Sequence, residues 1–129
     1  MNKSTVLDAS ALLALLNEEP GYMAVEAVLP GAIMSTVNIS EVIAVLMHIG
    51  IASEEAEQIV MEMLEHIVPF DIEQACVAAS LRKHTKSLGL SLGDRACLSL
   101  AKIKRLPVLT ADKIWHKLQI KDVQVQLIR

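Results

Sequence analysis

The chain has 129 residues, 53% of them hydrophobic, and a formal net charge of −3. That length fits one domain, residues 1–129, which can bury a core without disulfides or structural metal, and the composition excludes a disordered chain. Aromatic residues are limited to Tyr22, Phe70 and Trp115, which excludes RNA-binding modules that stack bases on several rings.

The predicted elements alternate along the chain. Ser4–Leu7 is a short β-prone run ending at Asp8, and Ser10–Leu16 reads as a helix that stops near Asn17 and Pro20. Gly21–Leu29 reads as a second helix, halted by Pro30-Gly31, and Ala32–Ser35 as a strand. Ile39–Ile49 carries Val42, Ile43, Val45, Leu46 and Ile49 at helical spacing and closes at Gly50. Over Ser53–His66 the apolar positions Ala56, Ile59, Val60, Met63, Leu64 and, just beyond, Ile67 alternate with glutamates in a 3.6-residue rhythm, with Ser53 as the expected N-cap. Ile67–Phe70 reads as a strand, Ile72–Ser87 as one helix closing at Gly89, and Leu92–Lys104 as another. Pro107–Leu109 is a strand, Asp112–Leu118 a short helix and Val123–Ile128 the last strand. Strands separated by helices predict an α/β fold: a central, mostly parallel sheet of four to five strands in a three-layer α/β/α arrangement.

The charge is unevenly distributed. Residues 1–75 hold twelve acids and one base, Lys3, for −11; residues 76–129 hold eleven lysines and arginines against three acids, for +8. Such asymmetry marks either an acidic site beside a basic docking surface or two halves that pair with each other. For docking, the candidates are Arg82, Lys83, Lys86, Arg95, Lys102, Lys104, Arg105, Lys113 and Lys117. Cys76 and Cys97 lie in apolar stretches, far apart, and read as buried small hydrophobes in a reducing compartment. Lys3 ahead of an apolar run looks like a signal peptide. However, Asp8 interrupts the run, Asn17-Glu18-Glu19-Pro20 offers no cleavage site, and no apolar segment is long enough to span a membrane. A cytoplasmic location is therefore expected.

Ligands of a parallel sheet sit at the carboxyl ends of its strands, and four acids fall there or nearby. Asp8 follows the first strand and Asp112 the Pro107–Leu109 strand. Glu41 and Asp94 open the two most apolar helices. Each could be a plain cap: Asn38–Glu41 and Ser91–Asp94 have capping-box spacing, and Asp8 and Asp112 precede helices. Capping needs no common location, whereas all four can meet at one edge. Converging carboxylates stay ionised together only beside cations, and oxygen-only ligands suit Mg²⁺ or Mn²⁺ rather than Zn²⁺. His48, His66, His84 and His116 have no ligand spacing and read as surface or helix-packing residues. A carboxylate-held cation suggests phosphoryl chemistry with an activated water.

Four stretches carry a resemblance. VLDASALLALL, STVNISEVIAVL, SLGDRACLSLA and LPVLTADKIW occur in the order and spacing of the motifs of PIN domains, and the chain is similar to VapC-type toxins over nearly its whole length. The resemblance implies a Mg²⁺- or Mn²⁺-dependent endoribonuclease that acts on RNA. It also implies a homodimer and a VapB-type antitoxin whose tail blocks the site. It makes Asp8, Glu41, Asp94 and Asp112 the metal and catalytic acids, with Ser10 and Thr110 as supporting hydroxyls. Asn17 would contact the site, and Arg95 would reach phosphate. Each of the last two has a plainer reading, as a helix-ending Asn and a surface Arg; Trp115 reads as a packing residue. An aspartate-nucleophile phosphatase would want a second Asp where Ser10 stands. A receiver domain would want paired acids after its first strand and a late Lys at a strand end. A stand-alone RNA-processing nuclease of the PIN type and a non-catalytic metal- or RNA-binding module remain as alternatives.

Overall fold

The computed structural model describes residues 4–129, so Lys3 lies outside the described residues. Five strands form one wholly parallel sheet: β1 (Thr5–Leu7), β2 (Ala32–Ser35), β3 (His66–Val68), β4 (Val108–Thr110) and β5 (Val125–Leu127), in the order β3-β2-β1-β4-β5. Seven helices accompany them among the described residues: α1 (Ala9–Leu16), α2 (Tyr22–Val28), α3 (Thr36–His48), α4 (Ser53–Met63), α5 (Ile72–Ser80), α6 (Arg82–Thr85) and α7 (Leu92–Lys104). The result is the three-layer α/β/α arrangement expected from the alternation of elements.

Successive residues of a strand face opposite sides of the sheet, and the core divides accordingly. Leu7, Met34 and Leu109 point into one cluster with Leu12, Val25, Val42, Val60 and Leu64. Their neighbours Val6, Ile33 and Val108 point into another with Leu81, Leu98, Leu100 and Trp115. The central strands β1, β2 and β4 are buried throughout, as a sheet covered on both faces requires. Only β3 and β5, at the edges, carry exposed residues.

Element boundaries differ from expectation in places that have local causes. α3 begins at Thr36, three residues early, because the Ser35 hydroxyl accepts from the Val37 amide and caps it. α4 is preceded by Ala52 rather than capped by Ser53, and it ends at Met63. Leu64 turns extended there so that His66 can pair with Ile33 in β3. The expected Ile72–Ser87 helix is broken into α5, α6 and a 3-10 turn, Lys86–Leu88. At the breaks the Ser80 hydroxyl bonds the Val77 carbonyl and that of Thr85 the Leu81 carbonyl, the back-bonding by which Ser and Thr bend helices. The short helix after Asp112 is a 3-10 helix, Lys113–Lys117. Cys97 is buried as expected, but Cys76 is exposed, since it faces outward on α5. No helix is long and apolar enough to cross a membrane.

The strand order reverses between β1 and β4, which lead to neighbours on opposite sides. At such a switch point the chains leave the carboxyl ends in different directions and open a crevice. Asp8, which directly follows β1, and Thr110, the last residue of β4, stand there; the two strands pair with Val6 opposite Val108 and Leu7 opposite Leu109.

Candidate metal centre

Asp8 occupies the N-cap position of α1, yet its side chain caps nothing. Its Oδ2 instead accepts from the Ser10 hydroxyl at 2.7 Å and from the Thr110 hydroxyl at 2.9 Å. The two hydroxyls are themselves fixed: Ser10 Oγ accepts from the Ala111 amide and Thr110 Oγ1 from the Asp112 amide. Each hydroxyl has one proton, and with both directed to Asp8 the 3.1 Å Ser10–Thr110 contact is simple proximity. Asp8 is thus clamped through one oxygen, and its Oδ1 takes no hydrogen bond among the described residues. The residue is 4% exposed. Burial pushes its carboxyl up to about 6, against the lowering effect of the two hydroxyls, and the charges of Asp94 and Glu41 push the same way.

Glu41 lies in the second turn of α3, past any capping position. Asn38 does not cap the helix either; it is fully buried, and its Nδ2 donates to Glu41 Oε1 at 2.8 Å and to the Gly93 carbonyl at 3.0 Å. One amide therefore ties Glu41 to the first turn of α7. A Cβ at position 93 would overlap the Glu41 carboxylate, so only glycine permits this approach. Burial raises the Glu41 carboxyl, the Asn38 amide opposes it, and the Asp94 charge adds to the rise.

Asp94 does form a capping box: its Oδ2 accepts from the Ser91 amide and its own amide donates to Ser91 Oγ. Only one oxygen is used in this way. Beneath the three acids lies Cys97, whose thiol is pushed well up by burial and then by the charges of Asp8, Asp94 and Glu41. These mutual effects place Asp8, Glu41 and Asp94 in one neighbourhood. Asp112 adjoins it through Thr110, but its Oδ1 caps the 3-10 helix by accepting from the Ile114 amide, and its charge is not among those acting on Asp8 or Glu41.

The remaining candidates separate. Asn17 is exposed at the far end of α1, about 13 Å of helix from Asp8, where its amide reaches Glu19 at 3.4 Å. It is not brought to the acids. Arg95 turns to α5: its Nη1 donates to the Ala78 carbonyl and its Nε is buried without a partner. The guanidinium is engaged in joining two helices. Trp115 is fully buried in the core, as expected of a packing residue, and all four histidines are exposed.

Among the described residues, no three His, Cys, Asp or Glu side chains stand close enough to form a ready-made ligand shell. The donor set nevertheless fits a hard divalent cation. Its donors are all oxygens, its three neighbouring acids repel one another, and Asp8 holds one oxygen unpaired in a desolvated position. A cation offsets that repulsion and burial more fully than hydroxyls can.

Asn38 and Gly93 were not legible as site residues. The signals existed: an Asn three residues before an acid, and a Gly inside a helical stretch, which marks a close approach when it is not a cap. The capping-box reading of Asn38 fails because α3 begins earlier than the apolar spacing predicts.

The sequence profile of the PIN domain matches residues 5–121. No curated protein matches the chain in sequence. Among solved structures, the chain is similar to one from a toxin–antitoxin complex of Klebsiella pneumoniae, at 24% identity over 92% of this chain and 94% of that one, with a TM-score of 0.71. It is also similar to a chain of Rickettsia felis VapBC2 bound to a promoter DNA fragment, at 15% identity, 96% and 98% coverage and a TM-score of 0.74. A third is a chain of DNA-bound VapBC from Salmonella typhimurium, at 17% identity over the whole of both chains with a TM-score of 0.73. At these identities the likeness is one of fold.

Proposed function

The chain belongs to the PIN domain family, and on that premise we propose that it is a Mg²⁺- or Mn²⁺-dependent endoribonuclease, the toxin of a VapBC-type pair. The observation that carries this reading is the acid group at the switch point: Asp8, buried and clamped by Ser10 and Thr110, feels the charges of Glu41 and Asp94. Such an arrangement costs stability unless a cation shares the space, and an oxygen-only set selects a hard one.

In this reading Asp8, Glu41 and Asp94 would hold the cation, with Asp112 beside them. The chemistry a divalent ion supplies there is activation of a water at neutral pH and charge stabilisation of the leaving oxygen in an in-line displacement of an RNA phosphodiester. The chain's own part is positioning. Ser10 and Thr110 fix the Asp8 carboxylate, Asn38 fixes that of Glu41, and the capping box fixes Asp94. The toxin assignment draws on the shared fold with the Klebsiella, Rickettsia and Salmonella chains. With it come a VapB-type antitoxin partner, a homodimer and a cytoplasmic location. An antitoxin arginine set among the acids would replace the cation's charge with bidentate contacts.

Expression of the protein alone should arrest growth, expression of Asp8→Asn should not, and co-expression of a small antitoxin should restore growth. Harmless expression of a protein that cleaves RNA in vitro would instead make it a stand-alone processing nuclease.

A further inference from the structure

The basic half of the chain is not neutralised by the acidic half. Among the described residues the one ion pair is Arg129 with Glu19, at 3.0 Å. One cleft of about 440 Å³ brings together three of the unpaired lysines, each from a different segment. Lys83 and His84 come from α6, Lys102 from the last turn of α7, and Lys121 from the turn after the 3-10 helix, with no acid in the lining. The Lys102 ammonium donates to the Lys121 carbonyl at 2.8 Å, which fixes it at the wall with two of its three protons still to place. Like charges held together in a concavity repel, and an anion entering it gains from all of them at once.

We propose that this cleft is an exosite for the phosphodiester backbone of the RNA substrate, remote from the bond that is cut. The proposal rests on the ribonuclease reading for the identity of the strand. α7 supplies the geometry: Asp94 stands in its first turn and Lys102 in its last. Eight residues at ~1.5 Å each separate them by about 12 Å, so one phosphate cannot occupy both places. The acids repel the polyanion that they are to cut, and the cleft offers compensating attraction along the same helix. Recognition there is chiefly by charge, since no Phe, Tyr or Trp lines the cleft and His84 is the one ring in the lining on which a base could stack.

The test measures binding of fluorescent U20 and U4 oligoribonucleotides against salt concentration, on an Asp8→Asn background that does not consume the probe. Lys83→Glu combined with Lys121→Glu should weaken U20 about tenfold and lower its salt slope by about 1.4, at ~0.7 for each single-strand phosphate no longer neutralised. It should also bring the U20:U4 affinity ratio toward one. Lys104→Glu, a single charge reversal at an exposed residue outside the cleft, should do none of this. Lys83→Gln with Lys121→Gln, a milder change, should show the same effects at reduced size, and circular dichroism checks that each variant is folded. Equal effects from Lys104→Glu, no effect from the double reversal, or no U20 binding at all would overturn the exosite. Displacement of U20 by polyglutamate at equal affinity per charge would also overturn it, in favour of an acidic protein partner. Wild-type protein that binds U20 through these lysines yet cuts no RNA in Mg²⁺ would support the cleft and sink the nuclease reading. Cleavage with binding indifferent to the lysines would do the reverse.

Discussion

Replacing Asp8 by Asn should make the metal-free protein more stable at neutral pH. The aspartate carboxyl is lifted from 3.8 to about 6 by burial and by Asp94 and Glu41. A rise of about two pH units, at ~1.36 kcal/mol each, amounts to about 3 kcal/mol of preference for the protonated form in the fold. The folded state then binds more protons than the unfolded one between about pH 4 and pH 6. The wild type therefore keeps this stability below pH 4 and loses it as pH rises through about 6. Asn cannot ionise, and its Oδ1 can still accept from Ser10 and Thr110, so the variant lacks that loss. Urea unfolding in EDTA, run in steps from pH 4 to pH 7.5, measures the difference. The variant's advantage should grow by about 3 kcal/mol across this range. Saturating Mg²⁺ should then stabilise the wild type and leave the variant unmoved, since only a folded state that binds the ion gains from it. A gap between the two proteins that does not change with pH, or a variant less stable at pH 7.5, would refute the account of Asp8 as a desolvated carboxylate among like charges.

Other substitutions separate positioning from packing. Gly93→Ala should cut RNA cleavage sharply while changing stability by no more than about 1 kcal/mol in either direction: the new Cβ displaces only the movable end of Glu41, and alanine is the better helix residue. Thermal unfolding beside single-turnover cleavage reads both. Asn38→Leu should lower stability by about 1–3 kcal/mol, because it strips the Gly93 carbonyl of a buried partner, and it should lower cleavage by releasing Glu41. Thr110→Val keeps the shape but removes one hydroxyl from Asp8. Cleavage should fall about 10- to 100-fold, the usual effect of losing a group that orients a metal ligand, and the pH at which the metal-free wild type loses stability should move upward.

The strands and helices were legible because the chain is apolar in short runs set apart by turn residues. α7 and β2 fall on their expected residues, Leu92–Lys104 and Ala32–Ser35. Boundaries were missed where a tertiary partner decides them. α4 stops early because β3 needs His66 opposite Ile33, and nothing in the run up to His66 signals that pairing. The place of Asp8 at the sheet edge was legible because it directly follows the first strand, and its side chain makes no cap hydrogen bond. The surroundings of Glu41 were not legible, since its neighbour Gly93 is more than fifty residues away and meets it only when α3 packs on α7. Arg95 and Asn17 read as candidates from adjacency to motifs; the structure turns one toward a neighbouring helix and places the other at the far end of α1 from Asp8. The charge asymmetry was plain from composition. Whether it was spent internally could be seen only from the near absence of ion pairs among the described residues.

The central claim is that the acid group is a cation-dependent ribonuclease centre. The most direct measurement is RNA cleavage by purified, partner-free protein stripped with EDTA, with Mg²⁺ or Mn²⁺ added back, for the wild type and for Asp94→Asn. Asparagine at 94 can still accept from the Ser91 amide, so the capping box and the unfolding temperature should be kept while one charge is removed. The account predicts no cleavage in EDTA, recovery with either cation, and a loss of at least about 100-fold for Asp94→Asn in the presence of metal. Full cleavage in EDTA, or an Asp94→Asn protein that cuts RNA as well as the wild type, would contradict it.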